Sequence, residues 1–426
     1  MSEFNFLNTE PSQGPTYRPQ SIEELDIRQT VLEDLALKTL YLSGTLSILE
    51  LSEKTCLSFE VAKELSFRLR TELLCQVNGM TGNIAQIAIT SQGRTKAADL
   101  LAQSHYAGPA PVSLQSYVEQ VRLQSVRRVE VHKEDVKRAF AHLVIDAQTL
   151  RQFGTALNSG SSIFVYGPPG VGKTTIAETL SKVVAHDEVW IPHAIEVDSQ
   201  IISVYDPAIH RRAADPGPAN RDERWVRCQR PAILVGGELT AEMLDLQFNP
   251  ITKFYVAPAQ MKANNGVLII DDFGRQRLRP EDLLNRWVVP LERRIYFLTL
   301  AGGKKLEVPF EMLVVFASNM DPALLVDACF LRRIQTKIKI GLVTDEQFTE
   351  IFRRVAGEYD VKFDASVPQD LISFIRNNLQ QELRQCFPRD IVNQVLWAAR
   401  YDGKAPYLDK AALKQAVEAY FLPNKD

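Results

Sequence analysis

Apolar residues recur along this chain with two different periods, and the change from one to the other divides it. Leu32, Leu35, Leu37, Leu40 and Leu42 fall on a helical repeat from about Asp26 to Leu42, which Ser43-Gly44 breaks. A short helix is expected from about Thr45 to Ser52. A longer one should run from about Ser58 to Leu74, with Ser58 placed to cap it. Cys75 to Val77 and Ile84 to Thr90 read as strands around the turn residues Asn78-Gly79 and Gly82-Asn83, and a helix from Ser91 to Leu101 follows. Helical patterns then cover about Ser113 to Leu123, Lys133 to Leu143 and Asp146 to Asn158, with Gly160 ending the last. From Ser161 onward, short and fully apolar runs alternate with helical stretches. That is the pattern of a parallel sheet covered on both faces. Four more helices are expected after it, at about Asp345 to Glu358, Gln369 to Leu379, Arg389 to Tyr401 and Asp409 to Tyr420.

Composition narrows the class without naming a function. The 426 residues suggest roughly three folding units. Apolar residues at 45% supply a large core without disulfide staples. The longest apolar runs, Gly266 to Ile270 and Met312 to Ala317, are far shorter than the ~20 residues that span a bilayer, so no membrane role is expected. The start, Met-Ser-Glu-Phe-Asn, has neither the basic head nor the apolar run of a secretory signal, and a cytoplasmic location is expected. Cys56, Cys75, Cys228, Cys329 and Cys386 are scattered and read as reduced thiols. The six histidines lack ligand spacing, which argues against a transition metal. A net charge of −3 excludes a polyanion binder by composition alone.

The division expected is a flexible tail (1–21), a first domain (22–104), a linker with helices (105–144), an α/β domain (145–341) and a helical region (342–426). Tyr106 to Val112, with Gly108, Pro109 and Pro111, begins the linker. Three helices, a hairpin and a helix in residues 22–104 resemble a winged helix, and the stretch AITSQGRTKAADLL (88–101) is similar to a common ending of that fold. Winged helices suggest nucleic acid, but residues 1–104 hold nine Lys/Arg against thirteen Asp/Glu, a net of −4. Phosphate contacts supply most nucleic-acid affinity. Protein docking is therefore favoured over DNA binding for this module.

The chemistry is concentrated in three strand ends. The apolar run Ser162 to Tyr166 leads directly into Gly167-Pro168-Pro169-Gly170-Val171-Gly172-Lys173-Thr174-Thr175 and then a helix from about Ile176 to Val184. This is G-x-x-x-x-G-K-[ST] in its strand-to-helix context. Its glycines let backbone N–H groups turn toward phosphates, Lys173 reaches the β- and γ-phosphates, and Thr174 can ligate Mg2+. Gly266 to Ile270 ends in Asp271-Asp272. There Asp271 would hold Mg2+ and Asp272 would orient the attacking water. Asp272 is one methylene shorter than the glutamate more usual in that position, so turnover is less secure than binding. Met312 to Ala317 ends in Ser318-Asn319, and Asn319 could hydrogen-bond the γ-phosphate or the water. Phe330-Leu331-Arg332-Arg333 and Phe387-Pro388-Arg389-Asp390 follow, the second with Pro388 suited to a first helical turn.

In this order, over about residues 145–426, the motifs resemble those of AAA+ ATPases. By that resemblance Asn319 corresponds to sensor 1 and Arg389 to sensor 2 on a C-terminal helical lid. One of Arg332 and Arg333 corresponds to the arginine finger given to a neighbouring subunit. The stretch MKANNGVLIIDDFGR (261–275) is similar to a phrase shared by MoxR-type ATPases and bacterial enhancer-binding activators. Those families also carry a β-hairpin where this chain has Arg294 to Leu300, Ala301-Gly-Gly and Leu306-Glu-Val-Pro. The fused N-terminal winged helix departs from the usual arrangement in both.

One segment stays open. Between Lys173 and Asp271, Arg211, Arg212, Arg221, Arg224, Arg227 and Arg230 face Asp206, Asp215, Asp222 and Glu223. This reads as a solvated loop, as a partner or subunit surface, or as a nucleic-acid contact. Tyr205, Phe254 and Tyr255 are either core aromatics or pore-facing ones. The function expected is a cytoplasmic ATPase using ATP and Mg2+. The resemblance implies a homo-oligomeric, hexameric ring that remodels or activates a protein client in a chaperone-like way, recruited by the winged helix. The alternatives are a DNA-directed loader or transcription regulator, and a slow ATP-dependent assembly switch.

Overall fold

The computed structural model describes residues 15–421 except 186, 215, 216, 219 and 326–330. The chain forms two compact units, each assembled from separate stretches. One takes in Met1–Glu130, Val184–Leu268 and Asp282–Val314, the other Val131–Val183, Ile269–Glu281 and Val315–Asp426.

In the first unit, helices Gln29–Ser43, Ile48–Thr55, Phe59–Thr71 and Ser91–Gln103 surround a core of Leu32, Leu35, Leu37, Leu40, Leu51, Val61, Leu65 and Ile87. Leu42, expected on the buried face, is exposed. The helix expected from Thr45 begins only at Ile48. Thr45–Ser47 is instead a strand, paired antiparallel with Gln86 to Ala88. Ser47 and Glu50 form a reciprocal capping box that sets the helix start, which local periodicity does not reveal. Cys75–Thr81 and Ile84–Ile89 complete a three-stranded antiparallel sheet, with a register shift between Val77 and Gly79 and a tight turn at Gly82-Asn83.

A second sheet in this unit has the order Gln247–Phe248, Tyr255–Val256, Gln200–Ser203, Ala194–Val197, Val112–Ser113. Ala194–Val197 and Gln200–Ser203 are joined by Asp198-Ser199 alone, with φ of 50° and 66°, the left-handed pair that a two-residue hairpin turn requires. Ile295–Thr299 and Lys305–Pro309 form the hairpin expected around Gly302-Gly303.

The arginine-rich stretch is an open loop only in part: Arg211 and Arg212 are exposed, but the later arginines are held in the fold. Trp225–Gln229 is a strand paired with Glu188–Pro192. Arg224 is buried, pairs with Asp222 at 2.7 Å and donates to the carbonyl of Pro111 at 3.2 Å. Arg230, also buried, pairs with Asp187 and donates to the carbonyls of Gln124 and Asn265. Arg227 pairs with Glu188. Asp215 lies outside the described residues. Tyr205 packs between His193 and His210 with the Arg212 guanidinium over its ring. Tyr255 is buried against Phe248, and Phe254 meets Tyr106 edge to face. These three aromatics pack within the unit.

The second unit is built on a sheet in which Val267–Ile270, Leu313–Ser318, Ile163–Tyr166 and Thr336–Lys339 are successive neighbours, the first two contributing their C-terminal halves. Leu313–Ser318 and Thr336–Lys339 both run parallel to Ile163–Tyr166. Phe164 and Phe316 stack in its core, and Phe273 meets both edge to face. Helix Ala147–Ser159 precedes the central strand and ends at Gly160 with φ 58°. The helix before it, Lys133–Ala139, is shorter than expected and stops where Phe140 turns in to stack on Phe153.

The last helices of this unit are Asp345–Glu358, Val367–Ser373 with a π turn at Phe374–Asn378, Phe387–Asp402 and Lys410–Tyr420. Thr344 and Asp409 cap the first and last. Pro368 and Pro388 sit in the first turns of the other two, where a missing N–H costs nothing. Phe348, Phe352, Leu371, Ile375, Ile391, Val392 and Leu413 form their core.

Candidate nucleotide-binding site

All parts of the candidate site lie in the second unit. At the end of Ile163–Tyr166 the chain turns through Gly167, whose N–H donates to the Ser318 carbonyl at 3.3 Å. A Cβ on Gly167 would stand 2.2 Å from the Ile340 carbonyl oxygen, so only glycine fits beside that strand. Gly170 and Gly172 have φ of 81° and 77°, a conformation that side chains resist. The following helix begins at Lys173, three residues earlier than expected, which puts Lys173, Thr174 and Thr175 in its first turn. Val171 is fully buried.

Lys173 is 7% exposed, and its ammonium donates to the carbonyls of Gly167 at 3.0 Å and Pro168 at 2.7 Å. Burial pushes its pKa down, while the carboxylates of Asp272 and Asp271 oppose that shift. The Thr174 hydroxyl donates to Asp271 Oδ2 at 2.7 Å. Gln276 donates to the Asp271 carbonyl at 2.7 Å and so braces the strand end. Asp272 takes a left-handed φ of 49°, and its Oδ1 accepts a hydrogen bond from Asn319 Nδ2 at 2.8 Å. Ser318, fully buried, donates to the Phe273 carbonyl at 2.6 Å and holds the two strand ends together.

The site opens on a cavity of about 420 Å3, within the size range of small-ligand sites. Pro169, Gly170, Gly172, Lys173, Thr174, Thr175, Asp271, Asp272, Asn319 and Arg389 all line it. Arg332 and Arg333 do not: Arg332 is exposed, and the Arg333 carbonyl accepts from Ser162 at 3.4 Å. Phe330, the first residue of that motif, and Cys329 lie outside the described residues.

Several lining residues carried no motif. The loop before Phe387–Asp402 lies on the glycine loop: the Cys386 N–H donates to the Gly170 carbonyl at 3.1 Å, and a Cβ on Gly170 would come within 2.7 Å of Cys386 Sγ. Burial and the nearby Asp390 push the Cys386 thiol up. His142, Leu143, Val144, Ile351, Arg354, Val355 and Glu358 also line the cavity. The one available signal was the spacing i, i+3, i+4, i+7 of Ile351, Arg354, Val355 and Glu358, which places them on one helix face.

The donor set suits a hard divalent cation. Thr174 and Asp271 offer adjacent oxygens, and no group of three or more His, Cys, Asp or Glu among the described residues could hold a metal. Mg2+ keeps several waters and takes one or two carboxylates with substrate phosphates, so a pair of this kind fits it better than a protein cage would. Among the described residues no helix is long and apolar enough to cross a membrane.

A family model described as a domain of unknown function (DUF8689) matches residues 344–419, the terminal helices. No curated protein matches the chain in sequence. Among solved structures, NtrX from Brucella abortus in complex with ADP is similar at 15% identity and TM-score 0.39, over 63% of this chain and 54% of that one. This chain thus spans about half of NtrX. RuvB of Thermotoga maritima, a Holliday junction branch migration motor, is similar at 14% identity and TM-score 0.35, over 69% of this chain and 73% of that one. Similarities of this degree add no argument to the fold, which stands on its own hydrogen bonds.

Proposed function

We propose that the chain is an AAA+ ATPase that hydrolyses ATP with Mg2+. The observation that carries this is the convergence of Lys173, Thr174, Asp271, Asp272, Asn319 and Arg389 on one cavity from four separate elements. The N–H groups of Gly170 to Thr174 and the Lys173 ammonium bind the phosphates. Mg2+, held through Thr174 and Asp271, supplies charge neutralisation when bound. Asp272 orients the attacking water and accepts its proton, and Asn319 aligns the same water. Arg389 offsets charge on the transferred phosphoryl group. Arg332 or Arg333, outside this cavity, acts in a neighbouring copy's site, which makes the working form a ring, expected to be hexameric. Residues 22–104 act as a winged-helix recruitment module for a protein client, a reading that the net −4 of residues 1–104 supports over DNA. Residues 145–341 form the nucleotide-binding domain and residues 342–426 its lid.

A second reading, a slow assembly switch, is favoured by one contact. Asn319 already occupies Asp272 Oδ1, and a short carboxylate held this way is a weaker base for water. Steady-state ATP hydrolysis per chain over a protein concentration series, with Lys173→Ala as control, separates the two. A rate per chain that rises with concentration and vanishes in the variant supports the motor. A flat, near-zero rate with tight ATP binding supports the switch, and absence of ATP binding overturns both.

A further inference from the structure

The cavity is lined by two chemically different sets of residues. Lys173, Thr174, Asp271 and Asp272 make one set, suited to phosphate and cation. The rest of the lining includes Leu143, Val144, Ile351 and Val355, apolar groups suited to a flat heteroaromatic base, together with His142, Arg354 and Glu358 from the same two segments. These two segments come from distant parts of the chain, the turn after Lys133–Ala139 and the helix Asp345–Glu358. One side chain on the helix joins them. Arg354 Nη1 donates to the carbonyls of Ala141 at 2.8 Å and Leu143 at 3.3 Å. Its Nε donates to Glu350 Oε1 at 2.8 Å, one helical turn back, which fixes the guanidinium before it reaches across. Arg353 pairs with the other oxygen of Glu350 and serves as a local comparison.

We propose that Arg354 is a positioning residue: it straps residues 141–144 to the helix Asp345–Glu358 and so sets affinity for the base half of the nucleotide independently of its phosphates. The proposal rests on the nucleotide reading of the cavity. A guanidinium suits this task because it presents several donors in one rigid plane and stays charged at every working pH. The carbonyls at 141 and 143 lie in the turn beyond Lys133–Ala139, outside any helical ladder, and need donors from elsewhere.

Calorimetric titration of the full chain with ATP and with inorganic tripolyphosphate tests it, in wild type, Arg354→Ala, Arg354→Lys and Arg353→Ala. Arg354→Ala is expected to weaken ATP about five- to ten-fold and to leave tripolyphosphate unchanged. Arg354→Lys, which reaches one carbonyl, should recover part of the loss, and Arg353→Ala should bind both ligands as wild type does. Retained tripolyphosphate binding also shows that the variant is folded. Equal weakening of both ligands, or no weakening of ATP, overturns the strap. A wild type that binds tripolyphosphate but not ATP also overturns it. A wild type that binds neither overturns the nucleotide reading itself, and the strap with it.

Discussion

Thr174 and Asp271, 97 residues apart in the chain, are joined by a 2.7 Å hydrogen bond from the threonine hydroxyl to the carboxylate. The contact sets two hard oxygen atoms side by side at the first turn of the helix after the glycine loop. Asp271→Asn keeps the shape and removes the charge. Chelating Mg2+ should weaken ATP binding to wild type by about ten-fold or more, and barely change it in Asp271→Asn. Thr174→Ser should behave as wild type and Thr174→Val as the Asn variant. The same dependence on Mg2+ in all four proteins would remove the cation from this pair.

Asp272 has a left-handed backbone, a conformation that Asp and Asn tolerate better than other side chains. Asp272→Asn is therefore the clean substitution, free of the strain an alanine would add. It should leave the Kd for ATP within a factor of about two and lower kcat roughly 100-fold, the scale of a lost general base. Single-turnover and equilibrium binding measurements on the same preparation separate the two quantities. An unchanged kcat would move the base elsewhere.

Arg224 and Asp222 form a buried pair in the first unit, both under a tenth exposed. Removing one partner strands a charge in the interior. Arg224→Ala should lower stability by about 3–5 kcal/mol in denaturant unfolding, whereas Arg224→Met with Asp222→Leu should recover much of it. A loss below about 1 kcal/mol would return this segment to a solvated loop.

His193 and His210 give the first unit a pH dependence. Burial, aided by Arg212, holds His193 at about 4, below its usual 6.5. Burial also lowers His210, although the Lys262 carbonyl and Asp206 oppose the shift. His210 accepts the Asp206 N–H at Nδ1, so Nε2 carries the proton that meets the Lys262 carbonyl. Burial favours the neutral form of both rings in the folded chain, so below about pH 6.5 unfolding takes up protons. The stabilisation from a neutral His193 is complete above pH 6.5 and declines as pH falls toward 4, by about 1–3 kcal/mol, and His210 acts in the same direction. Unfolding midpoints measured from pH 7.5 to 4.5 should fall, and fall less steeply in His193→Gln. Parallel curves would exclude His193 as the source.

Much of the site was legible before the structure because its parts are local. Gly167 to Thr175 needs glycines where the backbone turns left-handed and a lysine at the helix start, and both requirements act within a few residues. Apolar strands ending in Asp271-Asp272 and Ser318-Asn319 announce themselves in the same way. The four terminal helices were readable to within two or three residues, since capping by Thr344 and Asp409 and the placing of Pro368 and Pro388 are also local.

Other features were set by partners far away in the chain. The surroundings of Arg224 and Arg230 stayed open between solvent, a partner surface and nucleic acid because nothing near them in the chain suggests burial. Asp187, Gln124, Asn265 and Pro111 supply the acceptors that make it tolerable. Thr45–Ser47 is a strand because Gln86 to Ala88 offers its edge, against a local pattern that reads as helix. Asn319 meets Asp272, Cys386 covers Gly170 and Arg354 reaches residues 141 and 143 only once the chain has closed on itself. Backbone conformation and amphipathic faces answer to neighbours a few positions away, so linear order suffices to read them. The state of a buried charge, and the company kept by a reactive group, depend on which distant surfaces exclude water there, and that is a property of the folded chain.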